Sequence, residues 1–298
     1  MIPPPVRIAE PQPWENVREN IEQHGTAVLY TWLDFWQLES RDESALRRLL
    51  GRDWARYVRF QNPVLRRQFA ATRALLKNAA AVLLRVPPES VELSYGPSGR
   101  PYLRGFDQLD ISLSHTEDLL LVGLTTSGLI GVDVERADRM LWGPGLGRQI
   151  CTPHELRQLS ALAEHERNQS LVRLWTLKEA YTKAIGQGMQ FRFTEFGFAA
   201  DSAQDATDVR ALRPDGTPGT GDEWAFSTVA LPEGFCMSTA VCNTGFGSPL
   251  DPAAATMLDQ GLVAALSAAP GSGSVADAGA GAEQPAADRR RGPEECGR

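Results

Sequence analysis

The chain has 298 residues, 42% of them hydrophobic, and a formal net charge of −7, which is enough apolar material for a sizeable core in two domains or in one domain of two halves. The acidic balance argues against general nucleic-acid binding, and no apolar run reaches the roughly 18 residues of a membrane span. Cys151, Cys236, Cys242 and Cys296 form no Cys-x-x-Cys pair and have no companion His at zinc-ligand spacing, so they read as free thiols, and with no basic-then-apolar start the chain reads as cytoplasmic.

Residues 1–25 are Pro-rich and polar and read as an N-terminal extension, with at most a short helix near Val17 to Ile21. Thr26 to Asp34 alternates β-formers and predicts a buried strand. Ser40 is placed to cap a helix through Leu46, Leu49 and Leu50 that ends near Gly51. Asn62-Pro63 opens a longer helix, with Leu65, Phe69, Leu76 and Leu83 at helical spacing, and Pro87-Pro88 ends it. This stretch is the chain's basic segment: Arg41 to Lys77 holds ten basic residues against three acidic ones, either a solvated helix face or an anion-binding surface.

Val91, Leu93 and Tyr95 alternate as a strand, Gly96 to Gly99 turns, and Arg100-Pro101-Tyr102-Leu103 follows. Asp110 to His115, Leu119 to Thr125 and Leu129 to Glu135 are further strands. A Gly-rich connection around Trp142 to Gly147 leads to Thr152-Pro153-His154-Glu155, a capping box that starts a helix of about ten residues. The next helix runs from about Asn168 and is stopped by Gly186 and Gly188. Phe191 to Phe198 and Trp224 to Cys242 supply strands, the latter with a Pro232-Glu233-Gly234 turn. Asp251 to Ala268 allows one short helix, and from Pro270 the Gly, Ala, Ser, Pro and charged residues predict disorder. The pattern is α+β: a half at 26–128, a second half at 129–246 and a largely disordered tail at 247–298.

Strand periodicity puts Asp133 and Glu135 on one face, where they either meet solvent or share a hard cation. Helical spacing puts Glu179 and Lys183 one turn apart, either as an ordinary i,i+4 pair or with Glu179 as a third oxygen ligand. Ser114 and His115 close a strand and can donate to a phosphate. A Gly-x-Ser-x-Gly elbow, a Walker A loop and a Gly-x-Gly-x-x-Gly turn are all missing from the sequence.

Four motifs in order, Gly99-Arg100-Pro101-Tyr102-Leu103, Leu113-Ser114-His115, Gly131-Val132-Asp133-Val134-Glu135 and Trp175 to Lys183, resemble the phosphopantetheinyl transferases, and among them the Sfp-like type. The resemblance covers about Arg56 to Cys242. It implies two similar α/β halves in a pseudo-two-fold arrangement, as a monomer, with coenzyme A between them. It also implies transfer of 4′-phosphopantetheine from coenzyme A to a serine of an apo acyl or peptidyl carrier protein, with Mg²⁺ on Asp133, Glu135 and Glu179. Glu179 would serve as base, Lys183 would steady the leaving phosphate, and Arg56, Arg100, Ser114, His115, Lys178 and Lys183 would hold coenzyme A. Asp53 stands where the family pattern suggests a second basic residue, and Met189, Phe191 and Phe193 offer either carrier docking or core packing. A metal-dependent hydrolase acting on coenzyme A-like substrates and a non-catalytic carrier-binding module are the alternative readings.

Overall fold

The computed structural model describes residues 1–9, 14–36, 38, 42–143, 145–187, 191–200 and 206–243. Ser40, Gly188, Met189 and the tail from 247 lie outside them, as does the short helix expected at Asp251 to Ala268.

In chain order the elements are β1 (Val6–Arg7), α1 (Trp14–His24), β2 (Thr26–Trp32), α2 (Glu43–Leu50), α3 (Trp54–Tyr57), α4 (Pro63–Leu84), β3 (Leu93–Tyr95), β4 (Pro101–Leu103), β5 (Asp110–Thr116), β6 (Leu119–Thr125) and β7 (Gly128–Arg136). They continue with α5 (Leu146–Ile150), α6 (Pro153–Ala161), α7 (Glu164–Ala184), β8 (Gly197–Phe198), β9 (Ala206–Val209), β10 (Ala211–Leu212), β11 (Trp224–Leu231) and β12 (Phe235–Asn243). The first 25 residues are more than an extension. β1 pairs in parallel with β2, and α1 buries Val17 in the core beneath it.

Two four-stranded sheets carry the fold, in the orders β1-β2-β6-β5 and β7-β12-β11-β9. Each has a helix on one face and the other sheet on its opposite face. Leu29, Leu120, Val122 and Leu124 pack against Ala74, Leu75 and Leu76 of α4. Val28, Tyr30 and Leu121 instead meet Ile130, Val132, Val134 and Met237 of the second sheet. Burial on both faces is why β6 reads Leu-Leu-Leu-Val-Gly-Leu-Thr, a run without alternation. On the far side, Leu174, Leu177 and Tyr181 of α7 join Phe226 and Ala240.

The caps act as their chemistry predicts. The Asn62 side chain accepts from the Val64 and Leu65 N–H groups, and Pro63 occupies the first turn of α4. Thr152 and Glu155 close a complete capping box on α6. Helix α7 begins earlier than Asn168, at Glu164, and the Asn168 side chain, within the helix, accepts from the Leu141 and Trp142 N–H groups and donates to the Arg139 carbonyl. The strand expected over Phe191 to Phe198 is confined to Gly197–Phe198, with a 3₁₀ turn at Phe193–Glu195. Phe193 and Phe196 turn inward there: Phe193 packs edge-on against Trp175 and Phe196, and Phe196 lies tilted against Tyr181. Phe193 is therefore core, which removes it from any docking surface.

Gly131 shows how closely α7 lies on β7. A methyl group at this position would overlap the Ala180 carbonyl and crowd the Ala184 nitrogen, so a side chain of any size forces helix and strand apart.

Candidate active site

The site grows from the meeting of β5 and β7. One face of β5 carries Asp110, Ser112, Ser114 and Thr116, every second residue. The Asp110 carboxylate accepts from the Ile130 N–H at 2.7 Å, and the Ser112 hydroxyl accepts from the Val132 N–H at 3.0 Å. Farther along, Ser114 Oγ donates to Asp133 at 2.7 Å and Thr116 Oγ1 to Glu135 at 3.0 Å. The edge of β7 is thus closed by side chains rather than by another strand. Its carbonyls are met in the same way, Ile130 O by Arg100 at 3.0 Å and Val132 O by Lys183 at 3.2 Å.

Above this seam lies a cleft of about 510 Å³ whose cations are Arg56, Arg73, Arg100 and Lys183, with His115 on its wall. Three of the four have carboxylate partners. Lys183 Nζ is 2.6 Å from Asp133 Oδ1, Arg100 is 2.6 Å from Asp110, and Arg73 Nε is 3.0 Å from Asp53. Arg56 is exposed, lies over the Phe69 and Tyr95 rings, and has no carboxylate partner among the described residues. Asp53, at the position where a cation was expected, is buried. It accepts from the Tyr95 hydroxyl at 2.8 Å as well as from Arg73, and so holds that guanidinium at the cleft.

Strand alternation separates Ser114 from His115. His115 faces the cleft, where desolvation and the nearby Lys183 and Arg73 charges push its pKa below the ordinary imidazole value. Ser114 points the other way, donating to Asp133 and accepting from Lys183 at 3.0 Å. Its hydroxyl is committed to the acids beneath the cleft and does not line the phosphate-sized space.

Glu179 and Lys183 do not form the i,i+4 pair that their spacing allows, because Lys183 reaches across to Asp133. Glu179 Oε1 is buried and has no hydrogen-bond partner among the described residues. Desolvation first, then the Asp133 charge, raises the Glu179 pKa, with Lys183 opposing. An orphaned carboxylate oxygen beside a second carboxylate is an arrangement that a divalent cation would satisfy. Glu135 keeps different company: Thr116, the Arg136 N–H at 2.9 Å and an ion pair with Arg139. As these side chains stand, the described residues contain no cluster of three His, Cys, Asp or Glu side chains that could hold an ion.

Lys178 corrects an expectation. Its ammonium is fully buried and donates to Glu155 at 2.7 Å and to the Ile150, Phe193 and Phe196 carbonyls at 2.6–2.8 Å. Glu155, equally buried, also accepts from the Thr152 and Phe198 N–H groups. This pair fastens α6 and the 193–198 turn to α7 on the side away from the cleft, so Lys178 meets no phosphate there. The roles of Asp110, Ser112 and Thr116 went unread in the sequence, although their alternation in Asp-Ile-Ser-Leu-Ser-His-Thr is the visible sign of a polar strand face.

Residues 129–238 match the 4′-phosphopantetheinyl transferase superfamily. The chain is 33% identical over 146 residues to a putative 4′-phosphopantetheinyl transferase of Synechocystis, covering 47% of this chain and 58% of the relative. It is 31% identical over 156 residues to the 4′-phosphopantetheinyl transferase HetI of Nostoc, covering 51% and 66%. A phosphopantetheinyl transferase of Thraustochytrium is 28% identical over 201 residues, covering 62% and 67%. The matches thus span 58% and 66% of the first two relatives' own lengths, short of two thirds.

Proposed function

We propose that this chain, whose residues 129–238 match the 4′-phosphopantetheinyl transferase superfamily, moves 4′-phosphopantetheine from coenzyme A to a serine hydroxyl of an apo carrier protein. The observation that carries the reading is the orphaned Glu179 carboxyl beside Asp133, under a cleft whose wall carries Lys183, His115 and Arg56. The transferase names of the relatives favour transfer over coenzyme A hydrolysis, and the resemblance of the motif order supports the Sfp-like type.

In this reading Arg56, the cleft cation without a carboxylate partner among the described residues, takes a terminal phosphate of coenzyme A. His115 donates to a phosphate from the cleft wall, and Lys183 faces the pyrophosphate while it stays anchored to Asp133. Arg100, held by Asp110 and the Ile130 carbonyl, closes the same wall. Glu179, whose pKa burial and the Asp133 charge raise, accepts the proton of the carrier serine as that oxygen bonds to the β-phosphorus. The bond between that phosphorus and the bridging oxygen breaks, and adenosine 3′,5′-bisphosphate leaves with its new charge facing Lys183. Asp133 and Glu179 would hold Mg²⁺, with Glu135 available as a third ligand, and the bound ion would offset charge on the pyrophosphate. The two sheets, each with its own long helix, would then be the two halves of a pseudo-dimeric monomer.

The test is incubation of the chain with coenzyme A, Mg²⁺ and a panel of apo carriers from fatty acid, polyketide and peptide synthesis. One phosphopantetheine should be added to a carrier serine by mass spectrometry, and Glu179→Gln should lower the rate by at least roughly 100-fold. No gain on any carrier, or coenzyme A breakdown at the same rate without a carrier, would sink the proposal.

A further inference from the structure

Two acids lie side by side on β7, and each is matched by a cation of the chain itself. Lys183 sits at Asp133 and Arg139 at Glu135. The two pairs are built differently. Lys183 also bonds Ser114 and the Val132 carbonyl, and its side chain is 27% exposed. Among the described residues Arg139 has no other side-chain hydrogen bond, and its side chain is 47% exposed against 11% for its partner Glu135.

The main chain beneath Arg139 is fixed. Its carbonyl accepts from the Asn168 side chain of α7 at 2.9 Å, and the same side chain holds the Leu141 and Trp142 N–H groups. The guanidinium is a different matter. It borders an open hollow of about 370 Å³ with Thr116, Glu117 and Asp138, and it lies 5.8 Å from the centre of the Trp175 ring. The guanidinium therefore rests against that ring while it is paired with Glu135, and the two contacts coexist. A half-exposed ion pair is also weak, so an arriving divalent cation can displace it.

We propose that Arg139 is a built-in competitor for the cation at Glu135. With the guanidinium in place the site offers Asp133 and Glu179; when a divalent cation displaces it, Glu135 becomes a third oxygen ligand. The inference rests on the reading of Asp133 and Glu179 as cation ligands. It makes Arg139 a positioning residue that sets how tightly the ion is held without touching the reacting atoms.

The experiment is Mn²⁺ titration of the full chain with coenzyme A present and carrier absent, with free Mn²⁺ read by electron paramagnetic resonance. Arg139→Gln should bind Mn²⁺ at least threefold more tightly than the unaltered chain, with Arg139→Lys in between. Glu135→Gln should change binding less than twofold by itself, and should erase the gain when combined with Arg139→Gln. Equal or weaker binding by Arg139→Gln overturns the inference, as does a loss in Glu135→Gln as large as that in Asp133→Asn. If the unaltered chain binds no Mn²⁺ at all, the cation-site reading fails and this inference with it, whereas binding that Arg139→Gln leaves unchanged fails the inference alone. Thermal unfolding of each variant, followed by circular dichroism, confirms that only folded protein is compared.

Discussion

Replacing Lys178 with methionine separates two roles that the Trp175 to Lys183 motif could assign to it. Methionine keeps much of the side-chain volume but removes the ammonium, leaving the fully buried Glu155 with only the Thr152 and Phe198 N–H groups. The Ile150, Phe193 and Phe196 carbonyls lose their donor as well. Breaking one partner of a buried ion pair costs about 3–5 kcal/mol. For a folded body of this size each kcal/mol moves the melting temperature by about 2–4 °C, so the expected fall is roughly 6–20 °C. Urea unfolding followed by tryptophan fluorescence reads the loss as a lower midpoint at unchanged slope. The double variant Lys178→Met with Glu155→Gln should recover part of it, because the unpaired charge is then gone. The KM for coenzyme A of the fraction that stays folded should be unchanged. Stability within about 1 kcal/mol of the unaltered chain, together with a tenfold rise in that KM, would refute the structural role and return Lys178 to the phosphates.

Other expectations follow from the same geometry. Gly131→Ala should destabilise the chain by about 3 kcal/mol or more, or abolish soluble expression, since its methyl group meets α7 backbone that has no rotamer to adjust; chemical denaturation checks it. Lys77, 1% exposed on α4, has its pKa lowered by desolvation, so Lys77→Met should leave stability unchanged or raise it by about 1 kcal/mol in urea titrations. Because the Glu179 pKa is raised in the fold, its contribution to stability is fully present below the usual carboxylate value and is lost as pH rises through the folded value. In chelator, Glu179→Gln should therefore flatten the decline in melting temperature with rising pH. The His115 imidazole should titrate below its ordinary value by nuclear magnetic resonance, and it should move upward when coenzyme A brings phosphates into the cleft.

Local chemistry decided much of this protein in advance. The Asn62-Pro63 start of α4, the Thr152–Glu155 capping box, the turn at Glu233 and Gly234 and the strands at 119–125 and 129–135 all follow from caps, periodicity and turn residues acting within a few positions. Strand and helical periodicity paired Asp133 with Glu135 and Glu179 with Lys183, and the resemblance of the ordered motifs joined the two pairs into one expected site. Helical spacing also held an unread warning about Lys178. Five residues from Lys183 is about 140° around a helix, so the two lysines could not both face one cleft. What sequence spacing cannot carry is which neighbour a face will meet. Tertiary packing alone set Lys183 against Asp133 instead of Glu179, buried Lys178 on Glu155, and gave Glu135 to Arg139. It also drew Val6–Arg7 into the first sheet and turned Phe193 into the core. Each of these outcomes depends on contacts between segments far apart in the chain, where the strongest available charge or cavity takes the side chain and a local preference of a few tenths of a kcal/mol gives way.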